Sequence, residues 1–390
     1  MNSIDSVLKL VRPDILALTP YSSARKEIMG GPVVRSLGEG RRVWLDANEN
    51  PVTPAASLPS IALAKEGRMN LNRYPEPQPA DLVAQLATLY GVATPQLLVT
   101  RGSDEGIDLL LRTFCRAGHD AILITPPTYG MYVVAAGIQG ARIVTAPLLR
   151  ENNFALDADA VLQAVLASPK PSGEGGTSEV KLVFLCSPNN PTGGLLDRAA
   201  ILSLVRTLAG RAVVVVDEAY GEFSGQPSLA VEIPANPNLV VLRTLSKAHG
   251  LAGARVGTTI ADPAVIAVLQ KVIAPYPVPA PVLAAALAAL SPAGLVAARE
   301  SVSSLVAERH RLSTALPKLS AVKRVWPSDA NFLLVEVADA TRTMAAGRAA
   351  GVIWRDRSKD VSNCIRITVG SAEENHATLE VLAGLPAQSL

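Results

Sequence analysis

Apolar residues fall into short, nearly continuous runs separated by stretches with a helical period. From Leu97 the runs read LLVT (97–100), AILIT (121–125), ARIVT (141–145), LVFLC (182–186), AVVVVD (212–217), LVVLRT (239–244) and VGTTI (256–260). They are rich in β-branched residues and alternate with amphipathic segments, a pattern that predicts about seven strands in a mainly parallel α/β sheet. Ala212 to Val216 contains no polar position, as a central strand covered by helices on both faces requires. Ligands of such sheets sit beyond the carboxyl ends of the strands, so the residues following each run carry the candidate chemistry.

The pattern changes at about Ala280. One long helical pattern is followed by the strand runs NFLLVEV, VIWRD and CIRITVG and a last helix, which predicts a compact α+β domain. The expected organisation is an N-terminal segment, 1–44, packing on the C-terminal domain, then a large domain, 45–280, and a small domain, 281–390. A chain of 390 residues fits two cores, because single cores stop growing beyond roughly 250–300 residues. Between Ser168 and Val180 the Gly-, Pro- and Ser-rich stretch reads as a surface loop.

Composition narrows the function classes. Hydrophobic residues at 49% and charged residues at 18% exclude a disordered or fibrous chain. Lys plus Arg number 36 against 34 for Asp plus Glu, so no global field draws nucleic acid or anionic membrane and any affinity for anions must be local. Cys115, Cys186 and Cys364 are far apart and form no CxxC pair, which argues against a disulfide framework or zinc site and points to a reducing, cytoplasmic setting. The N-terminus lacks the long apolar stretch of a signal peptide, and Pro281 to Leu290 is too short to cross a bilayer. No strand run is followed by GxGxxG, which argues against a dinucleotide-binding dehydrogenase.

Five strand ends carry residues suited to one anionic, cationic-ring ligand. Asn190 sits in SPNNPTG after LVFLC, at a turn fixed by proline. Asp217 ends AVVVVD, where a buried carboxylate needs a cationic partner; the plainer alternative is a cap for the residues after it. Lys247 follows LVVLRT, and burial beside cations lowers a lysine toward the range useful for chemistry and Schiff-base formation. Arg255, eight positions on among small residues, suits a phosphate ester, with Thr244 and Ser246 as hydroxyl donors. RGSDEG opens a helix after LLVT, so the amides of Gly102, Ser103 and Asp104 can face an anion, with Ser103 otherwise a plain N-cap. Tyr129, after AILIT, offers an aromatic face for stacking or for core packing.

In their order, GSDEG, PPTY, SPNNPTG, DEAY and LSKAHGLAGARVG resemble the fold-type-I pyridoxal 5′-phosphate (PLP) aminotransferases, and specifically the histidinol-phosphate aminotransferase family. LTPY with Tyr21, LDANENP with Asn48, NRYPEPQP with Tyr74, APYP with Tyr276, DANFLLV with Asn331, and RDR followed by CIRITVG extend the resemblance over nearly the whole chain. It implies an α/β fold with a seven-stranded, mainly parallel sheet in the large domain and a smaller α+β domain.

By this resemblance Lys247 would carry PLP, Asp217 would pair with the ring nitrogen, Asn190 and Tyr220 would bond the ring 3-oxygen, and Tyr129 would stack on the ring. Ser103, Asp104, Ser246 and Arg255 would hold the phosphate, with Tyr74 reaching across from a second subunit of a homodimer. Tyr21, Asn48, Tyr74, Arg355 and Arg366 would meet the substrate. The implied reaction joins imidazole acetol phosphate and L-glutamate to L-histidinol phosphate and 2-oxoglutarate. An aromatic amino-acid aminotransferase, a phosphate-ester PLP decarboxylase and a PLP-binding regulatory protein are the alternatives. His249 departs from the commonest family pattern and reads as a packed or solvent-facing histidine.

Overall fold

A computed structural model describes residues 42–52, 71–168 and 179–385. Tyr21, most of the 1–44 segment and positions 169–178 of the predicted loop lie outside the described residues.

The strands, in chain order, are β1 Val43–Trp44, β2 Leu97–Thr100, β3 Asp120–Ile124, β4 Arg142–Thr145, β5 Glu179–Cys186, β6 Val213–Asp217, β7 Leu239–Thr244, β8 Gly257–Ile260, β9 Val322–Val325, β10 Phe332–Val337, β11 Val352–Ile353, β12 Arg355–Asp356 and β13 Cys364–Thr368. The seven predicted runs form one sheet in the order β2-β8-β7-β6-β5-β3-β4. Every neighbouring pair from β4 to β7 is parallel, and β8 runs antiparallel to both β7 and β2.

Successive side chains of these strands go to opposite faces, as the pleat dictates. Val183, Leu185, Val214, Val216 and Val241 pack beneath helices Ala80–Tyr90 and Arg198–Thr207. Phe184, Val215, Val240 and Leu242 pack against helices Gly102–Phe114 and Met131–Gln139. This two-sided cover explains why the runs contain so few polar positions.

A second sheet, β12-β13-β10-β9, is antiparallel and contributes Phe332, Val335, Ile365 and Ile367 to a core shared with Leu305 and Leu312. Val43 and Leu45 belong to that core, and β1 pairs with β11. Two sequence expectations change here. The long helical pattern from Ala280 is two helices, Ala280–Leu290 and Pro292–Ala315, bent by 72°, because Pro292 cannot continue the first helix and Ser291 caps the second. VIWRD is two short strands on either side of Trp354, whose indole N–H donates to Thr378 Oγ1 at 3.3 Å. Among the described residues no single helix is long and apolar enough to cross a membrane.

Candidate active site

The carboxyl ends of the parallel strands open onto a cleft of about 280 Å³. Ser103 and Asp104 reach it after β2, Tyr129 after β3, Asn190 after β5, Asp217 and Tyr220 from the end of β6, and Ser246 and Lys247 after β7. Arg255 enters from the start of the antiparallel β8, while Asn48, Arg355 and Arg366 close the cleft from the side of the second sheet. Tyr74 is not part of this lining; it is 82% exposed and stacks on Tyr276 with ring centroids 4.6 Å apart.

Asp217 is 2% exposed. Its Oδ2 accepts from Tyr132 Oη at 2.9 Å and its Oδ1 from the Ala219 amide at 3.1 Å. No helix begins at Glu218, the next helical turn being Gly221–Phe223 with Tyr220 as its N-cap, so Asp217 is not a helix cap and the Ala219 bond only closes the turn after the strand. Burial raises the Asp217 carboxyl to about 6, and no cation forms a salt bridge with it among the described residues.

Lys247 Nζ donates to the Ala47 carbonyl at 2.9 Å and lies 5.7 Å from the centroid of the Tyr220 ring. Burial, and then the positive charge of Arg366, lower its ammonium to about 8. Tyr220 Oη accepts from Asn48 Nδ2 at 3.1 Å and Asn190 Nδ2 at 3.2 Å, and burial holds its phenol neutral, well above the usual tyrosine range. Arg366 donates to Asn190 Oδ1 at 2.7 Å and to the Asp46 carbonyl. One chain of bonds thus fixes the amide, phenol and guanidinium relative to each other.

At the opposite end, Arg255 has φ 57°, a left-handed conformation costly for a side-chain-bearing residue. It is held there by Asp104 Oδ2 at 3.1 Å and Ser246 Oγ at 3.3 Å. The helix begins at Gly102, so Ser103 lies in its first turn rather than at its N-cap; the N-cap is Arg101, whose guanidinium donates to Glu105 Oε1 at 2.8 Å in place of a side-chain cap on the backbone. Gly102 is favoured by its φ of 74° and Gly257 by close approach, since a Cβ on the latter would come within 2.5 Å of the Gly102 carbonyl carbon. Hydroxyl, guanidinium and helix N-terminus are thereby brought together, the donor set that a phosphate ester needs.

Several cleft residues were not singled out from sequence. Arg357 also lines it; its spacing of two from Arg355 on extended chain was the available signal. Asp46 and Glu49 flank the Asn48 that was singled out, and Cys186 ends β5. Behind the lining, Tyr132, in the first turn of helix Met131–Gln139, meets the Tyr129 ring edge-on at 5.6 Å. His249 is 4% exposed, which selects the packed over the solvent-facing of its two readings, and burial lowers its pKa.

The sequence profile described as aminotransferase class I and II matches residues 41–382. The chain is 46% identical over 383 residues to a histidinol-phosphate aminotransferase of Stenotrophomonas maltophilia, covering 97% of both chains. It is 45% identical over 388 residues to that of Aeromonas hydrophila, covering 98% of this chain and 99% of the other. The chain belongs to the histidinol-phosphate aminotransferase family of class I and II aminotransferases. The crystal structure of histidinol-phosphate aminotransferase from Sinorhizobium meliloti in complex with PLP shares the fold, with a TM-score of 0.80 over 96% of each chain at 23% identity.

PLP is the cofactor of this aminotransferase family, and the cleft fits it. A buried carboxylate in want of a cation, a lysine of lowered basicity and a phosphate-type donor set face one cavity. Because only the neutral amine adds to an aldehyde, PLP uptake by the apoenzyme should quicken about tenfold per pH unit below about 8 and level off above it. Stopped-flow absorbance between pH 6 and 9 checks this; a midpoint near that of an ordinary lysine would contradict the burial argument.

Proposed function

We propose that this enzyme transfers the amino group of L-glutamate to imidazole acetol phosphate, giving L-histidinol phosphate and 2-oxoglutarate. The observation that carries the reading is the placement of Arg366: a buried guanidinium, fixed by Asn190 and Asp46, beside Lys247 and on a cleft it shares with Arg355 and Arg357. One guanidinium can accept either a carboxylate or a phosphate, which suits two unlike substrates used in turn.

When bound, PLP supplies an aldehyde that takes the amino group and a ring that takes up the electron pair left by the departing α-proton. In our reading Lys247 carries the cofactor and, once released from it, moves that proton; an amine lowered to about 8 is suited to the task. Asp217 would keep a proton on the ring nitrogen, and Asn190 and Tyr220 would hold the ring 3-oxygen. Tyr129, its hydroxyl held by Asp104 Oδ1 at 2.9 Å, would supply the aromatic face for the ring. Ser246, Arg255 and the amides of Ser103 and Asp104 hold the phosphate. Asn48, Arg355 and Arg366 orient the substrate.

The protein is proposed to work as a cytoplasmic homodimer of two-domain subunits, 45–280 and 281–390, with 1–44 packed on the smaller. The β1–β11 pairing supports the last point, and the free thiols of Cys115, Cys186 and Cys364 support a reducing compartment. Tyr74, exposed and outside its own cleft, is assigned to the second subunit's phosphate site, and Tyr21 to the substrate.

A steady-state panel of histidinol phosphate, phenylalanine and threonine phosphate, each with and without 2-oxoglutarate, tests the substrate. The expected result is the highest kcat/KM for histidinol phosphate, strict dependence on the 2-oxo acid and no carbon dioxide. Preference for phenylalanine would favour the aromatic aminotransferase, and carbon dioxide release without acceptor the decarboxylase.

A further inference from the structure

Asp217 is placed by a residue that the reaction as described does not use. Tyr132, on helix Met131–Gln139, is 0% exposed. Its ring stacks on Phe184 with centroids 4.8 Å apart and meets the Tyr129 ring edge-on at 5.6 Å. Its hydroxyl donates to Asp217 Oδ2 at 2.9 Å, while Oδ1 takes the Ala219 amide. Each carboxylate oxygen therefore has its own donor, one from the helix and one from the backbone, and together they fix the carboxylate plane.

We propose that Tyr132 is a positioning residue for amino transfer: its hydroxyl holds the Asp217 carboxylate in the orientation and the ionised state that the cofactor's ring nitrogen requires. This rests on the reading of Asp217 as the partner of that nitrogen. A hydrogen bond donated to a carboxylate favours its charged form, whereas burial disfavours it. Around Asp217 the groups that act on its charge are Asp104 and Glu218, which oppose ionisation with their own charges, and Tyr132 and the Ala219 amide, which favour it. Cys186, also close, is held neutral by burial. Burial and the charge of Asp217 keep the Tyr132 phenol protonated, so it remains a donor throughout the working range. Without it, only one backbone amide opposes burial and two like charges.

The test uses Tyr132→Phe, which keeps both ring contacts and removes only the hydroxyl. In the apoenzyme, the carboxylic-acid infrared band that Asp217→Asn abolishes is followed against pH. Its midpoint is expected to rise by about one pH unit in Tyr132→Phe, the direction that loss of a donor to the charged form requires. In the holoenzyme kcat should fall about tenfold, with the acid limb of the pH profile displaced upward and KM for both substrates nearly unchanged, the signature of a residue acting through another. An unchanged midpoint and kcat in Tyr132→Phe, with Asp217→Asn impaired, overturns the proposal and leaves the role of Asp217 intact. Wild-type turnover and cofactor affinity in Asp217→Asn would instead overturn the reading beneath it. If Tyr132→Phe does not fold, 3-fluorotyrosine at position 132, a stronger donor of nearly the same shape, should lower the midpoint; no movement overturns the proposal.

Discussion

Lys247→Ala is expected to abolish transamination while the protein still folds and binds PLP weakly. Among the described residues the lysine is the one side chain lining the cleft that combines an amine, a pKa lowered to about 8 and a position beside both Tyr220 and Arg366. Loss of a positioned acid–base group alone costs roughly 10²–10⁴ in rate, and here the same change removes the covalent tether. The fold should survive, because among the described residues Lys247 Nζ bonds the Ala47 carbonyl alone, and the surrounding phosphate-type donors are untouched. Single-turnover absorbance and cofactor loss on dialysis measure the two effects separately. Turnover near that of the wild type would show that another residue moves the proton.

Arg366→Ala should lower kcat/KM for histidinol phosphate and for 2-oxoglutarate together. A hydrogen bond to a charged group contributes about 1.5–3 kcal/mol, or roughly 10- to 150-fold in kcat/KM. The substitution also leaves Asn190 Oδ1 and the Asp46 carbonyl without their arginine donor, so Asn190 loses the contact that orients its amide toward Tyr220. Arg366→Lys should rescue little, since a single ammonium cannot span both acceptors as a planar fork does. Lys247 offers a second readout: with the neighbouring positive charge gone, the midpoint of PLP uptake should move upward from about 8. A defect confined to one substrate would show that carboxylate and phosphate are met at separate places.

The large sheet was legible because its central strands are covered on both faces, and that cover writes itself into the sequence as unbroken apolar runs. Once the runs are placed, the residues after them fall at one edge, which is why Asn190, Asp217 and Lys247 could be singled out before their neighbours were known. What the sequence concealed depends on contacts between distant segments. The bond from Tyr132 to Asp217 joins a helix to a strand 85 positions away, and Tyr132 by itself reads as an ordinary core aromatic. The two-residue pairing of β1 with β11 is too short to leave a period. The break at Ser291 was hidden because alanine-rich helix continues on both sides, and Pro292 is equally at home in a first helical turn. Arg357 was overlooked for a different reason: its partnership with Asp360, at 2.9 Å, and its place on the cleft are both consequences of how the β12–β13 turn folds back.

The bond between Arg366 and the Asp46 carbonyl spans 320 positions, as does that between the Asn48 amide and Thr368 Oγ1. The substrate end of the cleft is thus made from the two extremities of the described chain, whereas the phosphate-end residues that the same chain supplies lie between Gly102 and Gly257. During translation Arg366 cannot reach Asp46 until nearly the whole polypeptide has left the ribosome. A product of synthesis interrupted before Arg366 would lack the guanidinium that admits a substrate.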